Sequence, residues 1–248
     1  MPELTSFQWL LTILATLGVG ITKSGFPGVS LVHVLIFAFI FGARDSTGVV
    51  LPMLIVGDIF AVLAFQRHAR WDYVRRLLPP TVIGIVLGSL LMTRLSETQY
   101  KPLIGCIITG LIALQLFRMF RPNLFEHVPH KLWFAWTMGL LVGVTTMLAN
   151  AAGPISALYL LSVSLPKYEL VGTSAWLFLI VNCIKVPFSF GLGLIHGQTL
   201  LLNAMLVPVI VLGIFAGRWM VARIPQKLFD GLLLAFAAVA ALRLVGVV

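Results

Sequence analysis

The chain has 248 residues, of which 60% are hydrophobic and only 10% are charged. A soluble domain normally has about a quarter of its residues charged, so this composition excludes a soluble globular protein and predicts that lipid is the solvent. The net charge of +9 does not indicate nucleic-acid binding, because the basic residues lie in short clusters between apolar runs. The apolar runs are continuous rather than alternating, which predicts an all-α polytopic membrane protein and excludes a β-barrel.

Ten hydrophobic segments follow one another along the chain, although a full span needs about 20 apolar residues and some segments are shorter. They cover 7–22, 28–42, 46–66, 76–93, 101–118, 132–149, 152–165, 170–190, 199–220 and 227–246. No basic region precedes the first segment and no small-residue cleavage site follows it, so we expect a retained helix rather than a signal peptide.

Two polar interruptions are the most informative features of this pattern. The first is Thr22-Lys23-Ser24-Gly25-Phe26-Pro27-Gly28, and the second is Asn150-Ala151-Ala152-Gly153-Pro154. Gly and Pro end helices and leave free N–H groups at the start of the next helix, where an anion is attracted. We therefore predict broken or re-entrant helices at 23–28 and 150–154 that converge into an anion cradle. For 132–166 the sequence permits either two thin spans or a pair of half-helices.

The two halves of the chain resemble each other. Residues of the first half recur in the same order in the second, as Gly28 with Gly153, Gly48 with Gly172, Asp58 with Asn182, Pro79 with Pro208, Gly84 with Gly213, Gly88 with Gly217 and Arg94 with Arg223. This order predicts a first transmembrane repeat at 1–118, a linker at 119–131 and a second repeat at 132–248. Each repeat holds an odd number of segments, so the second is inverted relative to the first, as in secondary transporters.

Loop charge predicts the orientation of the chain. One set of alternating loops is rich in basic residues, namely Arg67, Arg70, Arg75, Arg76, Arg118, Arg121, Lys131, Lys167, Arg218, Arg223 and Lys227. The other set has only Arg44, Arg94, Lys101 and Arg243. The positive-inside rule then places the linker in the cytoplasm and both termini in the periplasm, for a multi-pass protein of the bacterial inner membrane.

Four polar residues fall inside apolar runs: Lys23, Asp58, Asn182 and Lys185. A charge at the bilayer centre costs about 2.5–3.5 kcal/mol on insertion scales, so such residues usually face a cavity and serve function. Asn182 and Lys185 are three residues apart and share a helix face. Two lysines against one aspartate leave a positive excess that suits an anion. For Asp58 two interpretations stay open, a structural salt bridge to one of the lysines and a role in proton coupling.

Other reactive residue types are sparse. Cys106 and Cys183 each lie alone in an apolar segment and are interpreted as packing residues, and His33 and His196 as polar core or interface residues. The sequence has no phosphate-binding Gly-x4-Gly-Lys-Ser/Thr loop and no cluster typical of a metal site. We therefore expect no cofactor and no metal.

The motifs described above resemble the sulfite exporter TauE/SafE family, also called the toluene sulfonate uptake permease family. The resemblance spans nearly the whole chain, through Lys23-x-Gly25-Phe26-x-Gly28, Leu51-Pro52-x5-Asp58, Asn150-Ala151-Ala152-Gly153-Pro154, Tyr159-Leu160-Leu161, Gly172-Thr173-Ser174-Ala175-Trp176 and Asn182-x2-Lys185-x-Pro187. It implies movement of sulfite, sulfoacetate, other organosulfonates or related anions, often outward. Pro27 stands where the family often has glycine, and the isolated cysteines do not reproduce the pathway of the related thiosulfate importers.

Together these features predict a secondary active transporter, not an enzyme. We expect it to be proton-coupled through Asp58, with the bilayer, a proton and a small sulfur-containing anion or carboxylate as its partners. The expected substrate-binding residues are Lys23, Ser24, Gly25, Asn150, Ala152, Gly153, Thr173, Ser174, Asn182 and Lys185. The alternatives are a non-transporting membrane assembly protein and an intramembrane enzyme, but the paired acids, metal cluster or Ser/His dyad of an enzyme are not evident.

Overall fold

The computed structural model describes residues 4–24, 29–120, 132–163 and 165–223, and these residues form nine α-helices and no strand. The helices are α1 Ser6–Lys23, α2 Val29–Phe41, α3 Asp45–Phe65, α4 Trp71–Arg94, α5 Glu97–Phe120, α6 Leu132–Ala149, α7 Gly153–Ser162, α8 Lys167–Gly191 and α9 Gly197–Arg223, with a short 3-10 helix at Gln66–His68. The predicted all-helical architecture is confirmed for this part of the chain. The tenth hydrophobic segment, at 227–246, and residues 121–131 of the predicted linker lie outside the described residues.

Six of these helices, α3, α4, α5, α6, α8 and α9, are long and apolar enough to cross a membrane. Their outer faces carry large hydrophobic side chains such as Leu90, Phe190 and Phe215, which suit contact with lipid. The fold is therefore that of a multi-pass membrane protein.

Two helices are too short to cross. With a rise of about 1.5 Å per residue, α2 is about 20 Å long and α7 about 15 Å, against about 30 Å of hydrocarbon. Neither alternative for 132–166 is met, because the structure has a full-length helix followed by a half-length one rather than two thin spans or a pair of half-helices. Each short helix follows one of the two predicted breaks.

The centre of the bundle is formed by α3 and α8, which run antiparallel. A Cβ atom added at Gly48, in the first turn of α3, would lie 2.2 Å from the carbonyl oxygen of Leu194, just past the end of α8. A Cβ added at Gly172, near the start of α8, would lie 2.6 Å from the carbonyl oxygen of Phe65, at the end of α3. Close backbone contact therefore joins both ends of the pair and aligns the middle of α3 with the middle of α8.

Two further pairs flank this centre, α4 with α6 and α1 with α9. A Cβ at Gly143 of α6 would lie 2.1 Å from the carbonyl oxygen of Thr81 in α4, and one at Gly20 of α1 would lie 2.3 Å from the carbonyl oxygen of Ile210 in α9. Because a Cβ cannot approach a carbonyl oxygen this closely, only glycine permits either crossing.

The glycine crossings lead to a stability prediction. Gly143→Ala or Gly20→Ala should lower the melting temperature of the purified protein, because overpacking a tight contact costs about 1–3 kcal/mol. Gly110→Ala in α5 is the matched control, since its added Cβ would have no neighbour within 4 Å. If all three variants melt at the same temperature, the helix pairs do not cross at these glycines.

Candidate functional site

A cavity of about 110 Å³ lies where the two breaks meet the central helices. Its wall includes Lys23 at the end of α1, Asp58 in the middle of α3, Asn182 on α8, and Asn150 and Gly153 at the break between α6 and α7. A cavity needs about 10–15 Å³ to hold one water molecule, so this one is large enough for a small hydrated anion. The residues flanking the two breaks thus face one common cavity.

Asp58 is held from two sides in the cavity wall. Its carboxylate is fully buried, and its Oδ1 lies 2.6 Å from Nζ of Lys23. Its Oδ2 accepts a hydrogen bond of 2.7 Å from Nδ2 of Asn182. The salt bridge considered from the sequence is therefore present, with Lys23 as the partner. Asp58 and Asn182, which the sequence comparison of the two halves pairs, are in direct contact at the centre of the bundle.

Lys185 lies one turn beyond Asn182 and is only 1% exposed. Its ammonium group donates to Oγ1 of Thr146 at 3.2 Å, to Oδ1 of Asn182 at 3.4 Å, and to Oδ1 of Asn150. These three acceptors are uncharged, whereas Lys23 has a carboxylate. Among the described residues, the charge of Lys185 is therefore solvated by neutral dipoles and has no salt bridge.

Asn150 produces the break between α6 and α7. Its φ of 52° is in the left-handed region, which ends α6, and asparagine is one of the few residues that adopt this conformation easily. Its Nδ2 donates to the carbonyl oxygen of Thr47 in α3 at 2.9 Å. At the end of α6, the hydroxyl of Tyr100 donates to the carbonyl oxygen of Leu148 at 2.5 Å. These contacts fix the break in position against α3 and α5.

The start of α7 faces the cavity. Ala152 and Gly153 line it, and Pro154, which has no N–H, occupies the first turn. The first N–H groups of a helix lack intrahelical partners and carry partial positive charge, and no side chain of the described residues caps this end. This end of α7 therefore adds an attraction for anions to that of the lysines.

The predicted site residues divide into four groups. Seven line the cavity: Lys23, Asp58, Asn150, Ala152, Gly153, Ser174 and Asn182. Lys185 lies immediately behind this wall and contacts three of its residues, Thr146, Asn150 and Asn182. Ser24 and Thr173 point elsewhere, and Gly25 lies outside the described residues.

The contacts of Ser24 and Thr173 explain their positions. The hydroxyl of Ser24 donates to the carbonyl oxygen of Ile214 in α9 at 3.0 Å. The hydroxyl of Thr173 accepts from the backbone N–H of Arg70 at 3.0 Å, at the end of α8 that packs on the 3-10 helix. Neither side chain is brought to the cavity, because each satisfies a backbone group at a helix contact.

Several cavity residues were missed in the sequence. Thr146 lies one turn before Asn150 and accepts a hydrogen bond from Lys185. The ring centroid of Phe178 lies 5.3 Å from Nζ of Lys23. His33 lies in the cavity wall. Helical spacing from Asn150 and Asn182 would have found Thr146 and Phe178, which lie four residues away on the same faces. His33 was interpreted as a core or interface residue because it stands alone in an apolar helix.

Asn150 yields a prediction about the backbone. Asn150→Ala and Asn150→Gly both remove the two amide hydrogen bonds, but only alanine is strained at positive φ. We therefore expect the alanine variant to melt below the glycine variant by the equivalent of about 1 kcal/mol, the reverse of the order within helices. Thermal unfolding of the purified variants measures this difference. Equal melting temperatures would show that residue 150 does not need the left-handed conformation.

The site as a whole has a positive surplus. It buries two ammonium groups and one carboxylate, those of Lys23, Lys185 and Asp58, and its remaining described polar partners are neutral. Within the described chain, no group of His, Cys, Asp and Glu residues could hold a metal ion. Chemically, the arrangement is suited to binding an anion.

The comparison with protein families agrees with this chemistry. The family model described as Sulfite exporter TauE/SafE matches residues 12–244, nearly the whole chain. This family consists of membrane transporters for sulfite and related anions, not of enzymes. The alternative that the chain is an intramembrane enzyme was therefore wrong. No curated protein and no solved structure matches the chain significantly. The resemblance noted in the sequence is confirmed, and the chain belongs to the sulfite exporter TauE/SafE family.

Proposed function

We propose that the protein is a proton-coupled secondary transporter that exports a small sulfur-containing anion, such as sulfite, sulfoacetate or another organosulfonate, across the bacterial inner membrane. The observation that carries this proposal is Lys185, a buried ammonium group without a salt-bridge partner among the described residues, placed behind a cavity that also presents Lys23. A buried unpaired cation is expensive, and a bound anion would compensate it. Small carboxylates remain the alternative cargo because they carry the same charge.

The packing supports an inverted repeat. The crossing of α4 with α6 corresponds to that of α9 with α1, since Gly143 approaches Thr81 as Gly20 approaches Ile210. The central helices α3 and α8 run antiparallel and place Asp58 against Asn182. Both features are expected when two copies of one motif are related by an axis in the membrane plane, with the substrate at their interface. The half-length helices α2 and α7 would then be re-entrant, each returning toward the side from which α1 or α6 entered.

The cavity also suggests which state the transporter occupies. Along α8 it extends from Leu170 in the first turn to Asn182, a rise of about 18 Å. That end of α8 lies beside Arg67 and Arg70, on the side that loop charge assigns to the cytoplasm. In the other direction Asn150 bonds to Thr47, and beyond it lies a cavity of only about 10 Å³. We infer an inward-facing arrangement, closed toward the periplasm by the contacts of Asn150.

The orientation leads to a topology prediction. Cys106 and Cys183, both exposed, are first replaced by serine. His68→Cys, between α3 and α4, should then react with an impermeant maleimide only from the cytoplasmic side, and Ser96→Cys, between α4 and α5, only from the periplasm. Labelling of intact and permeabilised cells distinguishes the two sides. Reaction of both cysteines from the same side would contradict the alternation of spans, and exchanged sides would invert the assigned orientation.

The substrate proposal is tested by binding and by flux. A ligand that prefers the native state raises apparent stability, so the purified protein is screened by thermal shift against sulfite, sulfate, thiosulfate, sulfonates and small carboxylates. We expect stabilisation by at least one sulfur oxyanion or sulfonate and flux of the same anion in proteoliposomes. Stabilisation by carboxylates alone would move the substrate class to the alternative. Absence of flux for every stabilising anion would contradict transport and favour an assembly role.

A further inference from the structure

The proposed anion site leaves one buried polar residue unused, His33. It lies in the second turn of α2 and lines the cavity, yet only 1% of it is exposed. Within the described part of the chain, neither Nδ1 nor Nε2 has a hydrogen-bond partner. Buried polar side chains are almost always hydrogen-bonded, so a ring with two open nitrogens in a cavity wall indicates a partner that enters the cavity.

Among the described residues, the charged groups around His33 come from three helices. Lys23 at the end of α1 and Asp58 on α3 line the same cavity, and Lys185 on α8 joins them through Asn182. Their charges sum to one positive charge. A protonated His33 would raise this buried surplus to two, which is costly in a medium of low dielectric constant. The ring is therefore neutral while the site is empty.

The number of charges on the anion now matters. A monoanion balances the surplus and leaves the site neutral, with His33 uncharged. A dianion leaves one excess negative charge, which a single proton would cancel. In this arrangement both oxygens of Asp58 are engaged, by Lys23 at 2.6 Å and by Asn182 at 2.7 Å, so the proton that accompanies a dianion needs another acceptor. His33 has both nitrogens open and becomes a donor at each of them once protonated.

We propose that His33 adjusts the net charge of the site to the charge of the bound anion. The ring remains neutral against a monoanion, and it takes up one proton from the solvent when a dianion binds, so that its two N–H groups can donate to dianion oxygens. This inference rests on the proposed anion site and extends it. It makes His33, rather than Lys23 or Lys185, the residue that allows a doubly charged oxyanion to bind.

Calorimetry measures the proton directly. Binding of sulfate and sulfoacetate, as dianions, and of methanesulfonate, as a monoanion, is titrated near neutral pH in two buffers with different heats of ionisation. The difference in heat gives the number of protons taken up on binding. For the wild-type protein we expect roughly one proton per bound dianion and none for methanesulfonate, since each compensating charge requires one protonation.

The matched variants are His33→Gln and His196→Gln. Glutamine at residue 33 keeps a donor and an acceptor but cannot be protonated, so it should abolish proton uptake. It should also weaken dianion binding by about tenfold or more while changing methanesulfonate binding by less than about twofold. His196, exposed between α8 and α9, is the control, and its variant should retain both the affinity and the proton uptake of the wild type.

Four results would overturn the inference. Proton uptake that persists in His33→Gln would place the proton on another group, with Asp58 in the same cavity wall as the candidate. Equal losses of dianion and monoanion affinity would make His33 a general contact. If methanesulfonate binds and neither dianion binds, the ring does not enable dianion binding, whereas the proposed transport function would stand. If none of the three probes binds the wild-type protein, the anion site itself fails and the inference fails with it.

Discussion

Replacing Lys185 with methionine is expected to lower anion affinity by about tenfold or more, since the anion loses the attraction of a buried positive charge and a loss of about 1.4 kcal/mol is one decade. Methionine keeps the length and apolar character of the side chain but removes the cation. The effect should be large because the ammonium group is 1% exposed, where water does not screen its interactions. Substrate binding to purified protein measures the change.

The variant should remain folded, and the contacts of Lys185 give the reason. Removing one member of a buried salt bridge is damaging because it leaves the other charge unpaired. Here the acceptors are Thr146, Asn150 and Asn182, which are neutral. Their loss of a donor costs about 1–3 kcal/mol, but no charge is stranded.

Two variants control the interpretation of Lys185→Met. Lys185→Arg keeps the charge and should rescue only part of the affinity, because a planar guanidinium does not reproduce a compact ammonium group. Lys101→Met removes an exposed lysine of α5 and should leave binding unchanged. If the methionine variant binds the anion like the wild type, Lys185 stabilises the break at Asn150 and the anion is bound elsewhere.

The sequence matched the two residues of the central contact but did not predict the surroundings of the site. The order of glycines, prolines and polar residues pairs Asp58 with Asn182, and the structure brings these two side chains into contact. The break at Asn150 was predicted for the same reason that it forms: asparagine, glycine and proline oppose a continuous helix. The start of α2 after Lys23 agrees with the first break, although Gly25 lies outside the described residues.

The positions that sequence reasoning missed depend on side-chain direction. Thr173 and Ser174 are adjacent in a helix and lie about 100° apart around its axis. Only one of the two side chains can therefore face the cavity. Ser174 lines the cavity, whereas Thr173 accepts from the backbone of Arg70. His33 is buried, in agreement with its interpretation as a polar core residue, but its position in the cavity wall was not predicted. In an apolar helix without periodic polar positions, the sequence does not show which face meets a cavity.

Replacing Asp58 with asparagine is expected to abolish transport driven by a pH gradient while preserving anion exchange. Among the described residues, Asp58 is the carboxylate that lines the cavity, and intramembrane carboxylates are recurrent proton carriers in transporters. An amide cannot be protonated at this place, so the response to the gradient is lost. The site keeps both lysines, so the anion still binds and exchanges. Proteoliposomes with and without a pH gradient, loaded with the anion found by thermal shift, measure both activities.

Stability must be separated from coupling in this test. Asp58→Asn leaves Lys23 without its carboxylate, and breaking a buried pair in this way costs about 3–5 kcal/mol. The double variant Lys23→Gln/Asp58→Asn removes both charges and should recover much of the lost stability. If Asp58 carries the proton, the double variant folds and still fails to respond to the pH gradient. If gradient-driven transport returns together with stability, or if Asp58→Asn alone still concentrates the anion, Asp58 is only the structural partner of Lys23.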